Sequence, residues 1–325
     1  MSSSFHRDRL TWTAYVMLAW FAYLQAAPGL VVPHLRDELG LGYAVGGLHI
    51  AAFAFGSLLA GLVSSRVELA VGRARLIWAG ATLLALGAVG LAAGPVVAAT
   101  IGATLVMGFG GGLLLATIQA TLADHHGSAS TVALTEANVA AAVSYVVLIG
   151  AFSLAAALSL GWRTALLVSL LVPALTWWGN RGLAIDISVT QEDERRVRLP
   201  VAFWVAAAVL VCVTAAEWCV TGWGATFVDD EVGVSTDTAV SLMASYFGGV
   251  VVGRTVGSRL ARRYDPSRLL AVALCVAALG FVVLWPSSGP MQAVVGLALL
   301  GVGIGNLFPM ALSLAVSLAP GRAGP

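Results

Sequence analysis

The chain has 325 residues, 59% of them hydrophobic and 10% charged, where an average soluble domain carries roughly 25% charged residues. Such a chain cannot cover itself with polar groups in water, and a mean hydropathy of +0.92 points to a bilayer as its solvent. The net charge of +1 and the lack of an aromatic-laced basic run speak against a nucleic-acid partner. Cys212, Cys219 and Cys275 all lie in apolar runs, and no Cys/His set has metal-ligand spacing, so no disulfide framework, metal site or cofactor is expected.

A transmembrane helix needs about 20 apolar residues. Runs of that kind predict ten spans, near 11–33, 42–64, 75–93, 97–122, 132–159, 162–180, 199–228, 235–260, 267–285 and 290–317. Arg7 and Arg9 precede the first run. That run, 10–32, is long and many others follow it, so it reads as a first span and not as a signal peptide. Short breaks at Gly40-Leu-Gly42, Gly94-Pro95, His126-Gly-Ser128 and Pro286-Ser-Ser-Gly-Pro290 make neighbouring helices antiparallel. With the N-terminus in the cytoplasm, all but three of the 17 basic residues (every one an arginine) fall inside. Arg36 and Arg163 fall outside, and Arg254 lies within a span. That bias predicts a multi-pass protein of the plasma membrane. The loop after span six, with Gln191-Glu-Asp-Glu-Arg-Arg-Val-Arg198, reads as a solvated linker. It divides the chain into an N-terminal half 1–180, a linker 181–198 and a C-terminal half 199–325.

The chain also repeats itself. Phe55-Gly-Ser-Leu-Leu-Ala-Gly61 recurs as Phe247-Gly-Gly-Val-Val-Val-Gly253 at a shift of 192. Arg75-Leu76, Leu86-Gly87 and Gly108-Phe-Gly-Gly-Gly112 recur at a shift of 193 as Arg268-Leu269, Leu279-Gly280 and Gly301-Val-Gly-Ile-Gly305. Spans two to four therefore correspond to spans eight to ten. The Gly-x-Gly runs sit inside helices with no strand before them. They read as sites of close helix approach and not as nucleotide loops. Lone His49 reads as a packed residue, and Asp124-His125-His126 as a solvated turn.

Parallel repeats of this size are the build of one large class of transporters, and over nearly its whole length the chain resembles the major facilitator superfamily. The resemblance is carried by the loop between spans two and three, with Gly61, Arg66, Gly72, Arg73 and Arg75, where Ser65 stands in place of the family's acid. It is carried also by the second copy of that loop, Gly253-Arg254-Thr-Val-Gly257-Ser-Arg259-Leu-Ala-Arg262-Arg263, and by Gly161-Trp-Arg163. Glu217-Trp218, the segment Gly222-Trp-Gly-Ala-Thr-Phe227 and Asn306-Leu-Phe-Pro309 look most like the sugar and fucose-permease branch. The resemblance implies an all-α polytopic fold of two parallel pseudo-repeats. Adding 193 to 132, where span five begins, gives 325, so the chain ends where an eleventh span is due. Ten of the family's usual twelve spans are expected, from a truncated sequence or a natural ten-helix variant.

By the same resemblance, spans one, four, seven and ten line a cavity between the halves. Their polar residues, Tyr23, Gln25, Gln119, Glu217, Trp218, Thr221 and Asn306, become candidates for holding a small polar solute. Amides and aromatic faces suit a polyol. A carboxylate at membrane depth costs about 2.5–3.5 kcal/mol on insertion scales. Glu217 therefore reads either as a cavity residue that carries a proton or as a residue near the outer end of its span, reaching water or capping a helix broken at Gly222 and Gly224. The superfamily also implies a cytoplasmic gate, Glu136 against Arg254 or Arg259, with separate snorkelling residues as the other reading. The chain is expected to be a monomeric secondary transporter of a small solute, sugar import being the first candidate, with proton coupling at Glu217, coupling elsewhere and no coupling all open, because the sugar permeases it resembles place acids in spans one and four where this chain has Gln25 and Gln119. Drug or metabolite efflux, or a non-transporting scaffold or sensor, is the alternative. No triad, paired-carboxylate or metal arrangement points to an enzyme.

Overall fold

The computed structural model describes residues 6–180, 200–260 and 263–317. The linker 181–198 and Arg262 lie outside these. Among the described residues there are helices and no strand. They are α1 (Arg9–Leu39), α2 (Tyr43–Val71), α3 (Arg73–Ala93), α4 (Val97–His126), α5 (Ser130–Ala157), α6 (Trp162–Ser169), α7 (Leu171–Gly179), α8 (Val201–Val232), α9 (Thr236–Leu260), α10 (Pro266–Leu284) and α11 (Pro290–Ser317), with a short 3-10 turn at Gly127–Ala129. Nine of these are long and apolar enough to cross a membrane. The sixth expected span, 162–180, is made of two short helices that meet at Leu170. Pro173 has no N–H for the Ser169 carbonyl, so the ladder breaks there.

Helix ends follow local chemistry. Asp8 caps α1 by accepting from the Thr11 amide, and Gly40 closes that helix at φ 64°, a left-handed conformation that suits glycine. Asp265 caps α10 through the Ser267 amide, with Pro266 in the first turn.

Contacts divide the chain into two compact units, Met1–Thr190 and Gln191–Pro325. In the first, α1 is the core helix and packs on α2, α4, α5, α6 and α7. Helix α4 packs on α2 and α3 through glycine. A Cβ on Gly56 would strike the backbone of α4 at Leu105 and Phe109, and one on Gly108 would strike the Phe53 backbone. One on Gly87 would meet Met107 at 2.5 Å. In the second unit α11 packs on α9 and α10 in the same manner. Gly249 faces Ala298 and Val302, Gly301 faces Tyr246, and Gly280 faces Leu300. Each of these contacts is the first-unit contact shifted by 193, partner included.

That pattern corrects the register read from the sequence. The shift of 192 through Phe55-Gly56 and Phe247-Gly248 matched Gly56 to the wrong neighbour. Its counterpart is Gly249, because Gly249 is the residue pressed against α11, while nothing lies within 4 Å of a Cβ on Gly248.

Candidate functional site

In the second unit, three polar residues come from three helices that all pack on one another, α8, α9 and α11. Glu217 lies on the packed stripe of α8, one turn from buried Val213 and two turns from buried Gly224. Arg254, on α9, reaches it with Nη2 3.3 Å from Oε1, the two side chains being 24% and 22% exposed. Helix α8 runs unbroken through Gly222 and Gly224, so Glu217 caps no helix break. Asn306, on α11, presses its amide into the groove at Gly253 and Gly257, on either side of Arg254 in sequence. Its Nδ2 donates to the Val302 carbonyl at 3.1 Å, while its buried Oδ1 has no hydrogen-bond partner. Thr221, one turn beyond Glu217, has its hydroxyl 3.5 Å from that of buried Tyr246, and Trp218 is half-buried beside it. Subtracting 193 turns Glu217, Arg254 and Asn306 into Leu24, Gly61 and Leu113. Leu24 and Leu113 are buried apolar core.

The first-unit candidates do not converge. The Tyr23 hydroxyl donates to the Ala165 carbonyl of α6 at 2.8 Å. The ring lines a mostly apolar cleft of about 400 Å³ with Trp20, Ser144, Val147 and Ser169. Gln25 meets the Tyr145 hydroxyl of α5 at 3.5 Å, and Gln119 is exposed on α4. In the sequence nothing distinguishes Tyr145 and Tyr246 from packing aromatics.

Glu136, Arg254 and Arg259 were expected to pair across the halves. The structure shows the partner that each has in its own unit. Arg7 grips the Glu136 carboxylate with Nε at 2.7 Å and Nη2 at 2.5 Å, and Tyr15 adds its hydroxyl at 3.1 Å. Arg254 holds Glu217, and Arg259 is exposed in the last turn of α9.

Of the loop residues, Arg73 is the anchored one. It is buried at the start of α3 and bridges Glu68 of α2 and Asp124 of α4. Gly61, Arg66, Gly72 and Arg75 are exposed. The solvated turn expected at Asp124-His125-His126 is instead part of a network. His125 Nε2 lies 2.8 Å from Asp8, and His126 Nε2 lies 2.8 Å from the Thr11 hydroxyl. Burial pushes the Asp8 carboxyl up, but hydrogen bonds from the Thr11 amide and hydroxyl and from His125 outweigh it and hold the group down at about 2. His49 is the packed residue expected, buried and bonded to Thr100 at 2.8 Å. No His/Cys/Asp/Glu group fit for a metal occurs among the described residues.

A family profile, the Major Facilitator Superfamily, matches residues 11–324. Among solved structures, a bacterial homologue of the human lysosomal transporter Spinster, inward-facing and unoccupied, aligns over 99% of this chain and 77% of its own at 13% identity, with a TM-score of 0.76. A D-xylose–proton symporter aligns over 95% of this chain and 85% of its own at 14% identity, with a TM-score of 0.73. At these identities the likeness is one of fold. No curated protein matches the sequence.

Proposed function

From the premise that this multi-pass membrane chain belongs to the Major Facilitator Superfamily, we propose that it is a secondary transporter. It moves a small polar solute by alternating access, coupled to a proton at Glu217, in the plasma membrane with its N-terminus inside. The observation that carries this reading is the Glu217–Arg254 pair within two apolar spans, with Asn306 of a third span packed against Gly253 and Gly257 of the helix that carries Arg254. Intramembrane ionisable residues are costly and mark solute or proton pathways. This pair is not a requirement of the fold, since the first unit has buried Leu24 and exposed Gly61 at the equivalent positions. Polyhydroxylated solutes of sugar size are the class to test first, because Asn306, Thr221 and Trp218 supply an amide, a hydroxyl and an aromatic face near the pair.

The test is uptake into proteoliposomes driven by an inward proton gradient. Wild-type protein accumulates solute and the accumulation collapses with the gradient. E217Q retains exchange of solute across the membrane but does not accumulate it. Accumulation by E217Q at the wild-type rate, with the same pH profile, removes Glu217 as the proton carrier.

A further inference from the structure

We propose that Arg254 is the binding residue for a carboxylate carried by the solute, and that the solute takes the guanidinium over from Glu217 once Glu217 is protonated. The proposal rests on the transport reading above and adds the charge of what is transported.

Arg254 puts a single nitrogen on carboxylate, whereas Arg73 puts one on each of two, Glu68 and Asp124, and Arg163 and Arg7 each put two on one. Arg163 holds Glu38 with Nη1 at 2.9 Å and Nη2 at 2.6 Å, and Arg7 holds Glu136 with two nitrogens at 2.7 and 2.5 Å. These are forked pairs, the arrangement in which guanidinium and carboxylate match best. Arg254 touches Glu217 through one nitrogen at 3.3 Å, and this is its one polar contact among the described residues. A guanidinium has five N–H donors. In an apolar span, donors without acceptors are costly, so Arg254 is a cation with a forked place for a carboxylate that Glu217 does not fill. The half-buried Thr221 hydroxyl, one turn beyond Glu217 on α8, is a partner suited to a solute hydroxyl. A small hydroxylated carboxylate, such as a sugar acid, has both groups.

Charge balance supports the exchange. The empty site holds one guanidinium and one carboxylate and is neutral. When Glu217 takes a proton from water, the site gains one positive charge, and the incoming carboxylate cancels it. The loaded site is again neutral, with the proton on Glu217 and the solute on Arg254, so neither form places net charge in the low-dielectric span. Within the second unit, no other charge among the described residues of the helices packed here lies near the pair. Helix α8 packs on α9 and α11. The remaining ionisable groups of α8, Asp229, Asp230 and Glu231, lie three turns or more away, and Cys212 and Cys219 are exposed. On α9, Asp237 and Arg259 lie in the first and last turns, and the Tyr246 hydroxyl faces Thr221. Helix α11 carries no ionisable side chain.

The experiment is binding by the purified full-length protein of D-gluconate, D-glucuronate and neutral D-glucose, read by calorimetry. It is run at about pH 5.5 and about pH 8, where solute carboxylates stay ionised. Wild-type protein should bind an acid at least about tenfold more tightly at the lower pH, since protonating Glu217 removes the competitor. E217Q should bind it equally at both. The charge-neutral pair E217Q/R254Q, which strands no charge and should fold as wild type does, should lose it at both. If glucose binds and both acids do not, the inference falls while the transport reading stands. Equal binding of the acids by the double variant, or wild-type pH dependence in E217Q, also overturns it. Binding of none of the three, with no uptake in proteoliposomes, removes both readings.

Discussion

Helices α1 and α8 are counterparts under the shift of 193, and they differ at a position inside the packed stripe. Helix α1 carries buried Leu24 where α8 carries Glu217. Glu217 sits on the stripe of α8 that includes buried Val213 and Gly224, and α8 packs on α9 and α11. A residue seeking only water or headgroups has no reason to choose that stripe. At three close helix contacts they agree, glycine for glycine: Gly56 and Gly249, Gly87 and Gly280, Gly108 and Gly301. Where they differ, the second unit has placed charge and amide on positions that are apolar in the first. Packing accounts for the agreements, and the differences are where we propose that solute and proton are handled.

The largest test of this comparison is to break the pair from one side. R254L leaves the Glu217 carboxylate in an apolar span and should cost about 3–5 kcal/mol, seen as a large drop in melting temperature in detergent. E217L/R254L makes this part of the second unit resemble the first and should recover most of that loss, without solute accumulation. A double variant less stable than the single one would show that the pair holds the fold, and the contrast between units would lose its functional meaning.

The register is tested next, with a smaller effect. G249V forces a side chain into the α11 backbone and should destabilise by about 1–3 kcal/mol or more, as should G56V at its first-unit counterpart. G248A meets open space and should be neutral or gain up to about 1 kcal/mol, the usual gain of alanine over glycine in a helix. If G248A proves as harmful as G249V in thermal unfolding, the shift of 193 is wrong in α9.

The smallest effect concerns the network at the start of α1, which has no described counterpart at α8. The folded-state pKa of Asp8 is depressed to about 2. Its stabilisation is therefore complete above the ordinary aspartate range, near pH 4, and is lost as pH falls toward about 2. D8N should unfold at a slightly lower temperature than wild type near neutrality, and the difference should vanish in acid. A difference that grows on acidification would reverse the sign and exclude this role.

Much of this protein was legible in its residues. A bilayer demands about 20 apolar residues per crossing, so runs of that length located the spans, one of which, 162–180, bends near Leu170 ahead of Pro173. The repeat was visible because close helix approach requires glycine at spaced positions, and Glu217 and Arg254 were each noticeable as charges inside apolar runs. Their pairing was not. Helices that are apolar nearly all round do not announce which face turns inward, so the rotation of each about its own axis had to come from packing. That rotation joined Arg254 to Glu217, Glu136 to Arg7 and Tyr23 to Ala165, and it chose Gly249 over Gly248. Composition and run length determined that this chain is a bundle of membrane-spanning helices built on a repeat. Tertiary structure alone decided which of its few polar atoms meet, because that depends on side-chain direction, which steric fit between helices sets and hydropathy does not encode.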